Sequence, residues 1–354
     1  MGRAPGPWGI AVCALVLAIG LACGVVALSA LHSASTRPPA MEGPGPPSVA
    51  AKAALVAKRQ PGVAAAREIG TPPRADGWVA FTRRGHLVVL DLRDGRERAY
   101  PDRGTVRLPT FVGDGRVVVA QGGRAWEVGA GSEEWVDLTG EGAEVISLGY
   151  DMVAAELEFV RSAARPGEHS RDRWQGYRMS INGRPRATGE PEGPAITGFG
   201  DRPGWRRIRF APDGRAVLWP AFATGLDFPY EIGWRPEPAI DTQTTLIERG
   251  LHTASDADLG YGTLYLLRRE LVRARLPRLD DATRVGRLRA GWWAQVAISE
   301  PLGVAIVSDP EPETDHPALL LVELSSGRLS RLGEGESPDI WPRAWPAGHQ
   351  PQTR

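Results

Sequence analysis

The sequence predicts an all-β fold built from a repeated hairpin, and three observations carry that expectation. The first is a recurring phrase of strand, tight Asp-Gly turn and apolar strand, seen best in Ile208–Trp219 (IRFAPDGRAVLW) and again in Thr110–Gln121 (TFVGDGRVVVAQ). A degraded copy, Ala297–Ser308 (AISEPLGVAIVS), keeps the strand, the glycine turn and the second strand. Self-similarity at roughly 40–50 residues marks a repeat architecture. The second observation is that, after Asp76, short β-rich runs are separated by Gly, Pro and Asp turns with little helical periodicity, the pattern of a sandwich, barrel or propeller. The third is that Leu87–Leu90 and Val117–Ala120 are continuously apolar, as strands buried on both faces are. The inner strands of a β-propeller are sandwiched between neighbouring blades, so these runs favour a propeller.

At the amino end, Trp8–Leu31 holds no charged residue and is mostly Ala, Leu, Val, Ile and Gly. More than 20 such residues are long enough to cross a bilayer as a helix, so residues 8–31 are read as a transmembrane anchor within a segment 1–31. A cleaved signal peptide is the alternative, with Ser29 and Ala30 as small residues for a peptidase, but its apolar core is usually about 7–15 residues. A lipoprotein signal around Cys23 is a third reading, weakened because Gly20 stands where Leu is usual and the apolar run continues past Cys23. Arg3 precedes the run, whereas beyond it Arg37 is followed by nothing basic until Lys52. Positive-inside bias therefore places the amino terminus in the cytoplasm and the bulk of the chain outside. Cys13 and Cys23 are the only cysteines, so the rest of the chain forms no internal disulfide and cysteine usage is silent on its compartment. Residues 32–75 are rich in Pro, Ala, Gly and Ser and read as a flexible linker, with Ser48–Lys58 as a transient helix at most.

Residues 76–348 are expected to hold six strand groups, followed by a disordered tail at 349–354. The first group is Trp78–Tyr100, with turns at Arg83-Arg84-Gly85 and Arg93-Asp94-Gly95. The second runs over Val106–Leu138 and the third over Val145–Thr188, the latter with a polar insertion at Arg161–Gly176. The fourth is Arg206–Glu248, the fifth His252–Leu288 and the sixth Ala294–Leu332. Asp94, Asp114 and Asp213 each precede Gly, which turn geometry explains without a metal or catalytic role.

Phe210-Ala211-Pro212-Asp213-Gly214 resembles the core of the Pro-x-Trp-Ser-Pro-Asp-Gly phrase that opens the blades of TolB-type propeller repeats. The resemblance extends over Asp76–Gly348 and implies a propeller of WD-like blades. Pro342–Gly348 (PRAWPAG) looks like the opening phrase of a blade that stops, and Asp76-Gly77-Trp78 like a blade lacking its opening strand. Joining the two ends closes a six-bladed ring, which leaves only short, protected sheet edges. The third and fifth groups are poorly delimited, so five or seven blades remain open.

The chemistry of the sequence points toward binding. With 42 basic and 42 acidic residues the formal net charge is zero, and nucleic acid is not expected as a partner. The propeller-bearing hydrolases of the prolyl-oligopeptidase type add a G-x-S-x-G elbow, which this chain lacks. Its six histidines are scattered without zinc spacing. Lactonase-type propellers, which the scaffold also resembles, commonly hold calcium through Glu, Asp and Asn, and Asn182 is the only asparagine. The acidic run Asp309–His316 alternates with prolines and reads as a solvated loop, and Gly198–Gly204 as an inter-blade turn. No cofactor or metal is expected. Candidate recognition residues are Phe222, Phe228, Tyr230 and Trp234 in the insertion Pro220–Pro238, since loop aromatics supply contact area as interface hot spots do. Packing of these side chains over a blade edge is the competing reading. Arg206, Arg207 and Arg209 are assigned to strand faces and turns rather than to a basic site. The functional expectation is a non-catalytic, membrane-anchored module on the periplasmic side of a bacterial inner membrane, binding protein partners of the envelope. Alternatives are an accessory subunit held mainly through its transmembrane helix, and a lactonase-type funnel enzyme.

Overall fold

Alternating and continuous apolar runs become 24 strands among the described residues, with no helix. The computed structural model describes residues 75–100, 104–112, 115–129, 134–140, 144–162, 174–188, 206–220, 230–234, 251, 254–286, 288, 290–291, 294–310 and 316–345, all within one unit, Arg67–Arg354. The anchor expected at 8–31, nearly all of the linker and the tail lie outside the described residues. Among those described, no helix is long and apolar enough to cross a membrane.

The strands fall into six antiparallel sheets that follow one another along the chain. Sheet 1 contains β1 (Gly77–Arg83), β2 (His86–Asp91) and β3 (Glu97–Ala99). Sheet 2 is β4 (Val106–Val112), β5 (Arg116–Gln121), β6 (Arg124–Val128) and β7 (Trp135–Asp137). Sheet 3 is β8 (Val145–Asp151), β9 (Glu156–Ser162), β10 (Trp174–Ser180) and β11 (Arg186–Ala187), joined by β12 (Arg206–Arg207), which pairs parallel to β8. Sheet 4 is β13 (Arg209–Phe210), β14 (Ala216–Pro220) and β15 (Tyr230–Trp234). Sheet 5 is β16 (Asp256–Leu259), β17 (Thr263–Leu267), β18 (Leu271–Arg275) and β19 (Asp280–Arg284). Sheet 6 is β20 (Gln295–Ser299), β21 (Val304–Asp309), β22 (Ala318–Glu323) and β23 (Leu329–Glu334). Finally β24 (Glu336–Pro342) returns to pair with β1, giving sheet 1 the order β24-β1-β2-β3. Six blades are expected from the sequence; five sheets show four or more strands, and the fourth group shows three among the described residues. The 235–250 stretch that would follow β15 lies outside them. The insertion placed at Arg161–Gly176 is shorter than expected, because β9 and β10 extend into it and Ser162 pairs with Trp174.

All three copies of the repeated phrase occupy the same place, the first hairpin of their sheets: β4–β5, β13–β14 and β20–β21. In the best copy Gly214 has φ +70° and the Asp213 carboxylate accepts the Arg215 N–H at 3.0 Å, so this aspartate shapes its turn. Asp94 does the same for Arg96 N–H, at 3.0 Å. Asp114 lies outside the described residues.

Six apolar layers form between consecutive sheets. In β5, Val117 and Val119 face the layer shared with sheet 1, while Val118 and Ala120 face the layer shared with sheet 3. That two-sided burial is why the run is continuously apolar, and each such side chain contributes about 1.5–3 kcal/mol. The last layer joins Ala297, Ile306 and Leu321 of sheet 6 to Val79, Phe81 and Ile340 of sheet 1, so the series returns to its start.

The closing strand differs from the expected one. It is β24, which ends at Pro342 where the PRAWPAG phrase begins. The phrase follows the strand instead of forming it, because the homologous segment in the other sheets is the turn after the first strand. Arg343 clasps the seam: its N–H reaches the Asp76 carbonyl at 2.9 Å and its guanidinium lies 4.1 Å over the Trp78 ring. That guanidinium also pairs with Asp91 and, at 3.4 Å, with Asp76. Sheets 3 and 4 meet through a different device. A Cβ on Gly149 of β8 would lie 2.2 Å from the Ile208 carbonyl oxygen, so only glycine lets β12 run beside β8, where the Ile208 N–H donates to the Leu148 carbonyl at 3.0 Å.

Candidate functional site at the centre of the ring

The first strands of the sheets, β24, β4, β8, β12–β13, β16 and β20, line the centre and touch one another. Period-two alternation sends successive side chains to opposite faces. Thus Ile208 enters an apolar layer while Arg207 and Arg209 turn inward, and Ala257 and Leu259 enter another while Asp256 and Asp258 turn inward. Asp339 on β24 joins them.

These five groups close the channel. Arg207 crosses to the sheet two places away and donates to the Ser337 and Pro338 carbonyls of β24. Arg209 donates to the Val296 carbonyl at 2.7 Å and lies 3.4 Å from Asp339, 3.8 Å from Asp258 and 4.0 Å from Asp256. The carboxylates in turn staple neighbouring first strands together. Asp256 accepts the Val296 N–H at 2.8 Å and the Tyr230 hydroxyl at 2.5 Å. Asp258 accepts the Ile298 N–H at 2.7 Å and the Leu259 N–H at 2.8 Å, and Asp339 accepts the Phe111 N–H at 2.7 Å. Every oxygen of the three carboxylates is therefore engaged, which suits struts and leaves no free base. Burial pushes the Asp258 carboxyl up to about 6, Arg209 notwithstanding, and pulls Arg207 down to about 10. Burial also opposes the Arg209 charge, but Asp258 and Asp256 outweigh it and hold that guanidinium above its ordinary value. A buried ion pair of this kind contributes little net stability, yet loss of one partner costs about 3–5 kcal/mol.

Next to this floor is a cavity of about 90 Å³ whose walls include Phe111, Phe210, Trp341, Trp345, Ser299 and Glu300. The residues belong to the carboxyl ends of the first strands and the turns that follow. Trp341 stands edge-on to Trp345 with centroids 5.6 Å apart, and Phe111 is tilted against Trp341 at 6.3 Å. The Glu300 carboxylate accepts the Tyr261 N–H at 2.6 Å and the Tyr265 hydroxyl at 2.7 Å. Burial and the Glu300 and Asp213 charges push the Tyr261 phenol up to about 12. Small-molecule sites usually enclose roughly 300–1,000 Å³; this cavity has room for a few waters or one side-chain head group. Among the described residues, no group of three or more His, Cys, Asp or Glu side chains is arranged to hold a metal ion.

Comparison with solved structures identifies the architecture. The structure of TolB from Acinetobacter baumannii aligns with a TM-score of 0.53 at 11% identity, covering 76% of this chain and 67% of that one. The fold is a TolB-type β-propeller. A putative TolB from Agrobacterium tumefaciens aligns at TM-score 0.47 and 14% identity, over 75% of this chain and 92% of that one. A protein of unknown function from Bacteroides caccae aligns at 0.46 and 12%, over 75% and 99%. No family model and no curated protein sequence matches the chain.

Of the recognition residues expected from sequence, only Tyr230 is described with its side chain. Phe222 and Phe228 lie outside the described residues, and only the backbone of Trp234 is described, paired with Ala216. Tyr230 is 1% exposed, packed with Leu218, Ile232 and Leu266 and hydrogen-bonded to Asp256. It is a strut between sheets 4 and 5, and an exposed partner contact for it is ruled out by that burial. Asp309, the described start of the acidic run, accepts the Gly291 N–H at 2.8 Å. The residues at the centre escaped sequence reasoning: Arg207 and Arg209 are 4% and 7% exposed, not surface charges. Their signal was present, since like charges at i and i+2 in short apolar strands, Arg207/Arg209 and Asp256/Asp258, place both members of each pair on one inward face.

Proposed function

We propose that this chain is a non-catalytic protein-binding module whose partner docks over the aromatic mouth of the channel. The observation that carries the reading is the convergence of Phe111, Phe210, Trp341 and Trp345 at one end of a centre plugged by buried charge. Phe210, Trp341 and Trp345 are half-buried, with Phe111 buried behind them. Half-buried aromatics on a rigid frame are what interface hot spots are made of, and the small cavity and fully engaged carboxylates disfavour a funnel enzyme. We read sheet 4, three-stranded among the described residues, as a sixth blade. Residues 8–31 are proposed as the anchor that holds the propeller on the periplasmic face of a bacterial inner membrane, within an envelope complex. Phe222, Phe228 and Trp234 remain proposed contacts; β14 and β15 reach Pro220 and Tyr230 at the end away from the mouth, whereas Trp234 pairs with Ala216 at the mouth end.

The test is co-purification from native membranes with three variants of the full chain. Trp345→Ala should lose the partners, and Phe222→Ala/Phe228→Ala should lose only those bound at the opposite end. Retention of every partner by both variants would overturn the binding reading. The uncharged run Trp8–Leu31 favours a second reading, an accessory subunit gripped through its helix. Replacing that run by an unrelated transmembrane segment should abolish assembly on the second reading and preserve it on the first.

A further inference from the structure

We infer that the mouth of the channel receives a cationic side chain, Arg or Lys, from the partner, with Glu300 as its counter-charge. This inference rests on the mouth being the docking surface and specifies what it recognises. Glu300 has no basic partner among the described residues; its two contacts are the Tyr261 N–H and the Tyr265 hydroxyl, neutral donors that fix the carboxylate in place. Its seat depends on Gly260, where a Cβ would lie 2.3 Å from the carboxylate carbon and oxygen, so the neighbouring turn is shaped to admit the charge. Ser299, beside it on the cavity wall, is 4% exposed, and its buried Oγ has no hydrogen-bond partner among the described residues.

The rest of the lining suits the same guest. Aromatic faces attract cations, by about 0.5–1 kcal/mol when exposed and about 2 when desolvated, and Phe210, Trp341 and Trp345 line the cavity with Glu300. Arg207 and Arg209 also line the cavity, but each is turned toward carboxylate, Arg207 toward Asp339 and Arg209 toward Asp256, Asp258 and Asp339. With three carboxylates to two guanidinium groups, the floor carries no net positive charge. An anionic guest would face Glu300 and that acidic excess. A cavity of about 90 Å³ accommodates a head group on an extended stem rather than a free metabolite, which makes a side chain of a bound protein the fitting occupant.

The test uses the full chain in detergent and three fluorescein-labelled pentapeptides, Gly-Gly-Xaa-Gly-Gly, with Xaa as Arg, Lys or the isosteric neutral citrulline. Anisotropy titrations at low salt should show the Arg and Lys peptides binding about tenfold tighter than the citrulline peptide, a difference that shrinks as salt screens the pair. In Glu300→Gln, whose amide oxygen still accepts the Tyr261 N–H while its NH2 donates to the Tyr265 oxygen once that hydroxyl turns, the preference should vanish with the fold retained; Glu300→Asp should retain part of it. Equal binding of the charged and neutral peptides, or a preference that persists in Glu300→Gln, would overturn the inference. Should Glu300→Gln unfold, the Arg-against-citrulline comparison on the unmodified chain still decides it. Failure here is distinguishable from failure of the docking reading: native partners lost with Trp345→Ala but kept with Glu300→Gln mean that the mouth binds without a cation.

Discussion

The floor and the mouth of the channel lie on the same strands, one or two residues apart, and they differ in what has been done with their polar atoms. Asp339 and Trp341 share β24, and Arg209 and Phe210 are neighbours on β13. At the floor, Asp256, Asp258 and two guanidinium groups are buried, Asp339 is half-buried, and these five groups from four sheets are cross-linked to their neighbours. At the mouth, Glu300 is held only by neutral donors, and Trp341 and Trp345 are half-buried. Burial separates the two roles. Charges removed from water must be fully paired, and once paired they act as structure. Groups at the rim keep solvent access, so their interactions remain available to a partner.

Substitutions at the floor should therefore affect stability, and substitutions at the mouth should affect binding. The largest effect is expected for Arg209→Met, which strips Asp256, Asp258 and Asp339 of their shared counter-charge; urea denaturation should show a loss of about 3–5 kcal/mol. A loss below about 1 kcal/mol would mean that the floor is not a lock. Gly149→Ala should follow at about 1–3 kcal/mol, because the new methyl collides with the Ile208 carbonyl and pushes Arg207 off its register; the same assay reads it.

Asp258 supplies a finer test through pH. Its folded-state pKa is raised from 3.8 to about 6, so between those values the folded chain holds a proton that the unfolded chain has released. This group's contribution is thus fully present below pH 4 and is lost as pH rises through 6, with a slope of at most about 1.4 kcal/mol per pH unit. Asp258→Asn should flatten that part of the stability profile, and an identical profile in the variant would remove Asp258 from the account. The smallest stability effect belongs to Trp345→Ala, expected within about 1 kcal/mol by thermal unfolding while partner recovery collapses. If Trp345→Ala unfolds the propeller instead, the mouth is structural and the contrast between the two regions fails.

Much of the fold is legible in the residues. Five of the expected strand groups coincide with sheets of four or more strands, because Gly and Asp turns and period-two or doubly buried runs are local signals; the start of the fourth group, β12, joins sheet 3 instead. The repeated phrase is the first hairpin of sheets 2, 4 and 6. Its aspartates serve turns, as Asp213 and Asp94 show. The site was less visible. Tyr230 reads as a loop aromatic because it follows Pro220–Pro229, a stretch broken by Pro, Gly and Asp, yet it is the buried first residue of β15 and its hydroxyl meets an aspartate on the next sheet. Arg207 and Arg209 read as ordinary strand charges because their partners lie between 47 and 132 residues away along the chain, and no local pattern reports such distances.

The sequence alone determined the strands, their turns and the likeness between the chain's two ends, since backbone preference and hydrophobic period act over a few residues. Only the tertiary structure decided that β24, not the phrase after it, closes sheet 1, and that five charges from four sheets meet in one plug. Closing a ring turns one face of each first strand toward a common centre. What gathers there depends on the register of every sheet at once, a property that belongs to the ring and not to any segment of the chain.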